Sequence, residues 1–229
     1  MPLHPPTGLA DAALARSILA CPAGAQLAVE DVDHLDLARV VLCEVAGVPM
    51  LGCPADSPLA TAATLGRGAV LTLASGLPGR PGTLLVLGRL EAVRLERCAC
   101  PCAEGARQVV RLDVRHVSLR TPDRPRRLVP ADAFADPVHA LNAGHLVRTA
   151  AHANEHHGEL LRDAVAAATG VPATHVLGVE LTGLTAHGVE LAWVDVDGAH
   201  REGLAFPRPA ADLDDLSLLL RDLLLATAR

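Results

Sequence analysis

The chain has 229 residues, a formal net charge of −6, no lysine among its 20 basic residues, no tyrosine, and Trp193, Phe134 and Phe206 as its aromatics. That inventory excludes lysine chemistry, from the P-loop cation to the Schiff base, and argues against a nucleic-acid partner, which calls for a basic surface or stacking rings. Charged residues interrupt every apolar run well short of the ~18 residues of a membrane span, and Met1 to Cys21 lacks the basic and apolar regions of a signal peptide. A soluble, cytoplasmic protein with no membrane partner is expected.

At ~100–200 residues per domain the length allows two modest units. Leu9 to Ala20 has helical spacing and no breaker, and predicts a helix. Short β-rich runs then take over: Gln26 to Val29, Arg39 to Val45, Val48 to Cys53, Ala69 to Ala74 and Thr83 to Arg94. Ala46-Gly47 predicts a tight hairpin, and Pro58 to Leu65 a short helix. Cys98 to Gly105 interrupts the pattern and Gln108 to Leu119 resumes it as another strand, which together suggest a small antiparallel barrel.

Thr121 to Arg127 reads as a Pro/Arg-rich turn and Ala131 to Pro137 as a linker, so the domain boundary is expected between 1–133 and 134–229. Val138 to Thr169 predicts one long helix, closed by Gly170 and Pro172. Three strands follow, Thr174 to Leu181, Gly188 to Val196 and Arg201 to Phe206. Asp212 to Ala228 predicts an amphipathic helix with Asp212, Asp214 and Asp215 at its positive end. The expected fold class is α+β, a β-barrel followed by a helix, a three-stranded meander and a helix.

Histidine is the overrepresented chemical group, with 11 copies. At ~100° per residue, His145, His152 and His156 form one stripe with Thr149 and Asp163, polar or at the core edge, where surface histidines would be solvated. His139 and His157 fall among Leu146, Ala153, Leu160 and Ala164, on the apolar face, where a core histidine would be bonded through one nitrogen. His152 and His156 have the i,i+4 spacing that lets two imidazoles reach one metal ion. The protease pattern is absent, since Glu155 adjoins the second histidine, and a third ligand would come from outside the helix.

The six cysteines are too sparse for a disulfide framework and suit a reducing compartment. Cys21-Pro22, Cys53-Pro54 and Cys100-Pro101 are more Cys-Pro dipeptides than composition alone yields. A thiolate before proline can ligate ferric iron, and Cys98, Cys100 and Cys102 could hold a soft metal; ordinary loop cysteines are the alternative.

The segment His152-Ala153-Asn154-Glu155-His156-His157, with Leu160-Leu161, Asp197-Gly198 and Phe206-Pro207-Arg208-Pro209 after it, resembles the C-terminal module of HugZ-like split-barrel proteins. In that group a helix opens on His-x-Asn-x-Asp-His and the module ends in a Phe-Pro turn. The N-terminal half resembles the FMN-binding split barrel of pyridoxamine phosphate oxidase-like proteins, with Val40 to Cys53 as its long hairpin and Ala69 to Arg94 as the next strand pair. The resemblance makes the barrel an antiparallel split β-barrel. It implies heme binding by a homodimer and, in some members, oxidative opening of the heme ring.

Carried over by position, His157 matches the second motif histidine and His152 the first, so the resemblance implies that either contacts the heme iron, with Asn154 beside them as a cofactor-binding residue. His156 departs from the pattern's Asp. Some relatives take their axial histidine from a C-terminal loop, and the later histidines here are His175, His187 and His200. For FMN, the stretch Thr61-Ala62-Ala63-Thr64-Leu65 offers hydroxyls without the usual arginine; Arg67 and Arg89 would supply the cation. Heme is therefore expected ahead of FMN. The alternatives are an FMN- or F420-dependent oxidoreductase on the same barrel and a cofactor-free regulatory binding module.

Overall fold

A computed structural model describes residues 7–97 and 106–226. Its contacts divide the chain into two units, Met1–Gly144 and His145–Arg229. The first opens with α1 (Thr7–Ala20), whose small Ala12 and Ala15 and larger Ile18 and Leu19 are all buried. Next come β1 (Pro22–Val29), β2 (Val41–Val45), β3 (Val48–Pro54), α2 (Pro58–Thr64), β4 (Gly68–Ser75), β5 (Thr83–Arg97), β6 (Ala106–Thr121), β7 (Arg124–Val129) and α3 (Ala131–Ala135).

The strands form one antiparallel sheet in the order β1-β4-β5-β6-β3-β2, with β7 also pairing β6, and it curls into a half-barrel. Alternation assigns the faces: Leu71, Leu73, Leu84, Val86, Val117 and Leu119 are buried on the inner one. Each contributes about 1.5–3 kcal/mol of apolar burial. The β2–β3 hairpin turns on Ala46 and Gly47 at φ 49° and 85°, the left-handed pair that matches strand twist. A bulge between Leu87 and Gly88 bends the longest pair, and a Cβ at Gly88 would meet the Asp113 carbonyl at 2.1 Å.

Three sequence expectations change in this unit. The Pro/Arg-rich stretch expected as a turn contains strand β7, which pairs Val129 with Val117 and Arg127 with Leu119. Its charge is accommodated because the Arg127 guanidinium meets the Asp11 carboxylate of α1 at 2.8 Å. The expected linker contains α3, which buries Phe134. The strand expected from Arg39 starts at Val41, since Leu37–Arg39 is a 3-10 turn capped by the Asp36 carboxylate.

The second unit contains α5 (Gly158–Thr169), the meander β8 (Gly178–Thr185), β9 (Gly188–Asp195) and β10 (Gly198–Ala205), and α6 (Leu213–Ala226). Helix α4 (Ala143–His156) runs into it across the division between the units. The sheet order is β10-β9-β8; α5 covers one face and packs on α6. Leu161, Val165, Leu181, Leu191, Trp193 and Leu216 are buried there. The expected antiparallel barrel followed by helix, meander and helix is the fold observed.

The long helix expected from Val138 to Thr169 is not continuous. Pro137–His139 is a 3-10 turn, and the Asn142 carboxamide then accepts the Gly144 amide and restarts the chain as α4. A Cβ at Gly144 would meet the Ser17 carbonyl at 2.0 Å, so glycine is required by close packing on α1. His157 then leaves helical geometry at φ −125°, ψ 28°, and separates α4 from α5. No helix among the described residues is long and apolar enough to cross a membrane.

Candidate functional site

The α4–α5 break gathers imidazoles. The His157 peptide stays hydrogen-bonded to both helices, its amide to the Ala153 carbonyl at 2.9 Å and its carbonyl to the Leu161 amide at 3.1 Å. Its side chain makes no capping bond. Residues five apart on a straight helix diverge by about 140°. With the break between them, the His157 and His152 rings meet edge-on at 5.2 Å between centroids. His156 lies 4.7 Å from His152 on the other side, tilted by 56°. His152 and His156 are exposed and His157 is half-buried, and a Cβ at the adjacent Gly158 would have nothing within 4 Å.

The helical-wheel assignment of the other histidines also changes. His145, expected on the polar stripe, is buried at 3% exposure, with Nδ1 3.5 Å from the Arg148 guanidinium. His139 is buried, but on the 3-10 turn rather than on a helical face. Desolvation pushes its pKa below the ordinary value, the Arg16 charge adds to this, and Asp136 opposes it.

Asn154 acts as a backbone clamp. Its carboxamide donates to the Leu181 carbonyl at 3.1 Å and accepts from the Leu181 amide at 2.8 Å, beside the β8 bulge. Strand β8 is an edge, so this side chain occupies groups that a neighbouring strand would otherwise take.

Arg67 and Arg89 come together on the barrel unit, next to the Gly68–Arg89 register pair. Arg67 pairs with Asp31 at 2.8 Å, and Arg89 Nε donates to the Gly66 carbonyl at 2.9 Å. The Thr64 hydroxyl of α2 donates back to the Ala60 carbonyl at 3.0 Å. The groove of about 390 Å³ beside them is lined by Glu30, Asp31, Asp33, His34, Thr61 and Arg67 among others, a wall richer in acids than in cations.

Of the Cys-Pro dipeptides, the one at Cys100 and the whole Cys98/Cys100/Cys102 cluster lie outside the described residues. Cys53 is buried; desolvation pushes its pKa up, against a hydrogen bond with Ser57 and the Arg107 charge. Burial and the raised pKa both disfavour the thiolate, the form that ligates iron. Among the described residues no three His, Cys, Asp or Glu side chains converge to hold a metal ion.

Sequence reasoning missed one polar cluster. His200 Nε2 meets Asp195 Oδ1 at 2.9 Å, and the His200 ring stacks on Trp193 at 4.2 Å and 24°. The same carboxylate oxygen accepts the Asp197 and Gly198 amides in the β9–β10 turn. The His200 hydrogen bond is the main reason Asp195 has a lowered pKa. The signal lay in strand alternation: Trp193 and Asp195 share a face, and the register sets His200 opposite Trp193. His175 and His187 are exposed, in a 3-10 turn and in the β8–β9 hairpin.

The fold and site together define an α+β protein with a curled antiparallel half-barrel and a separate helix-backed meander whose leading helices present an imidazole cluster. No family model and no curated protein matches the chain. Solved structures do. A heme binding protein from Mycobacterium smegmatis is 17% identical, with 99% of each chain covered and a TM-score of 0.44. A protein of unknown function from Agrobacterium tumefaciens is 18% identical, with 97% of this chain and 99% of that chain covered and a TM-score of 0.41.

Proposed function

We propose that the chain binds heme, as a homodimer, with His157 or His152 as the imidazole that holds the iron. The observation that carries this reading is the ring contact at the α4–α5 break, where the half-buried His157 makes no capping bond and its ring meets that of His152. The donor set fits: imidazole is a standard axial ligand, and helix termini on both sides restrict where His157 can point. Asn154 supports the arrangement indirectly by anchoring α4 to β8 through the Leu181 backbone. Bound heme would supply an iron centre for dioxygen or electron chemistry.

Heme is favoured over FMN because the groups that would grip a flavin phosphate are engaged elsewhere. Arg67 is paired with Asp31, Arg89 with the Gly66 carbonyl, and Thr64 with its own helix. Exposed Val41, Val45 and Leu128 on the barrel unit offer apolar area that a second copy would cover.

Titrating the purified chain with hemin tests the reading. A saturable Soret band is expected, weakened in His157→Ala or His152→Ala. Absence of any band refutes heme binding; a band identical in both variants refutes the ligand assignment alone.

A further inference from the structure

His156 gives α4 a second exposed imidazole one turn from His152. His152 and His156 sit one turn apart on α4, both exposed, with centroids 4.7 Å apart. A metal ion takes an imidazole nitrogen at ~2.0–2.1 Å, and the ring centroid lies about 1.2 Å further out. Two neighbouring ligands on one ion therefore hold their centroids ~4.5–5.2 Å apart. The observed spacing falls within that interval, and the i,i+4 placement on α4 is the one that lets two imidazoles reach a single ion.

Three of the other histidines are buried or already paired. His200 is committed to Asp195, and His139 and His145 are buried. Beside the pair, the exposed Glu155 carboxylate lies 3.6 Å from His156 Nε2, and its charge favours a bound cation.

We infer that His152 and His156 chelate a hydrated transition-metal ion of the borderline class, Ni²⁺, Cu²⁺ or Zn²⁺, to which imidazole is suited. No third side chain converges there among the described residues, so water completes the shell and the ion exchanges readily. The site goes beyond the heme reading, because it depends on His156, which that reading does not use.

The test is calorimetric titration of the full chain with Ni²⁺, after blocking thiols with N-ethylmaleimide, alongside imidazole NMR. About one ion per chain is expected, with the His152 and His156 ring resonances shifting together. His156→Gln should weaken binding by about tenfold or more. His156 is exposed, so the variant should keep the parent's circular dichroism. It should also keep the hemin Soret response, whereas His152→Ala should lose Ni²⁺ binding and weaken the hemin response. No saturable Ni²⁺ binding, or equal affinity in His156→Gln, overturns the proposal whatever hemin does.

Discussion

Arg16 is the residue whose role is largest relative to its sequence signal. In α1 it interrupts an otherwise small apolar run, yet its side chain is 1% exposed and meets Glu44, 2% exposed, at 2.8 Å. Arg16 also donates to the Phe134 carbonyl at 3.0 Å, while Glu44 accepts the Gly47 amide. One ion pair thus joins α1, the β2–β3 turn and α3. Gly47 suits its φ of 85°, and a Cβ there would meet Arg16 Nη1 at 2.5 Å, so the guanidinium would have to shift. Removing one member of such a pair leaves an uncompensated buried charge, so Arg16→Ala should cost about 3–5 kcal/mol in urea unfolding. Adding Glu44→Ala should restore part of that loss. A single-variant cost below about 1 kcal/mol would show that the carboxylate is rescued by water. Local pattern could place Arg16 on a helix, but its counter-charge lies across a β-turn and outside any helical periodicity.

At the scale of elements, the break between α4 and α5 and the edge of β8 depend on the same segment. The Asn154 carboxamide satisfies both Leu181 backbone groups, and Ala153 beside it is buried. Asn154→Leu keeps similar volume but removes both bonds, and should cost about 1–3 kcal/mol. Faster hydrogen exchange at the Leu181 amide would accompany it. An unchanged exchange rate would mean that the clamp is redundant. Most elements were legible before the structure, because hydrophobic period and turn residues act locally. The exceptions have physical reasons: β7 is stabilised by pairing to β6 although its Pro/Arg-rich composition suggests a turn, and the α4–α5 break occurs without a proline to mark it. The candidate site was legible as a set of residues. Its geometry was not, since a continuous helix would separate His157 from His152.

For the molecule as a whole, acid should act in two stages. His139 has a folded pKa below its ordinary ~6.5, mainly through desolvation, so protonation favours the unfolded chain. Its contribution is complete above that value and declines as pH falls below it. Asp215 is lowered to about 2, first by the hydrogen bonds from Arg208, which grips it at 2.5 and 2.6 Å, and Asp195 is lowered first by that from His200. Their contribution holds above the ordinary carboxylate pKa of ~3.9 and is lost as pH falls toward the folded values. Thermal melts across pH should show Tm falling as the pH drops below about 6.5 and again below about pH 4, with His139→Asn flattening the upper stage. A flat profile from pH 7 to 5 would remove His139 from the account. Sequence by itself determined most of the order of elements, the α+β class and the Ala46-Gly47 turn, because periodicity and allowed φ are properties of neighbouring residues. Only the tertiary structure decided that His157 meets His152, Arg16 meets Glu44 and Asp195 holds His200, because partner choice and burial depend on how separate elements pack.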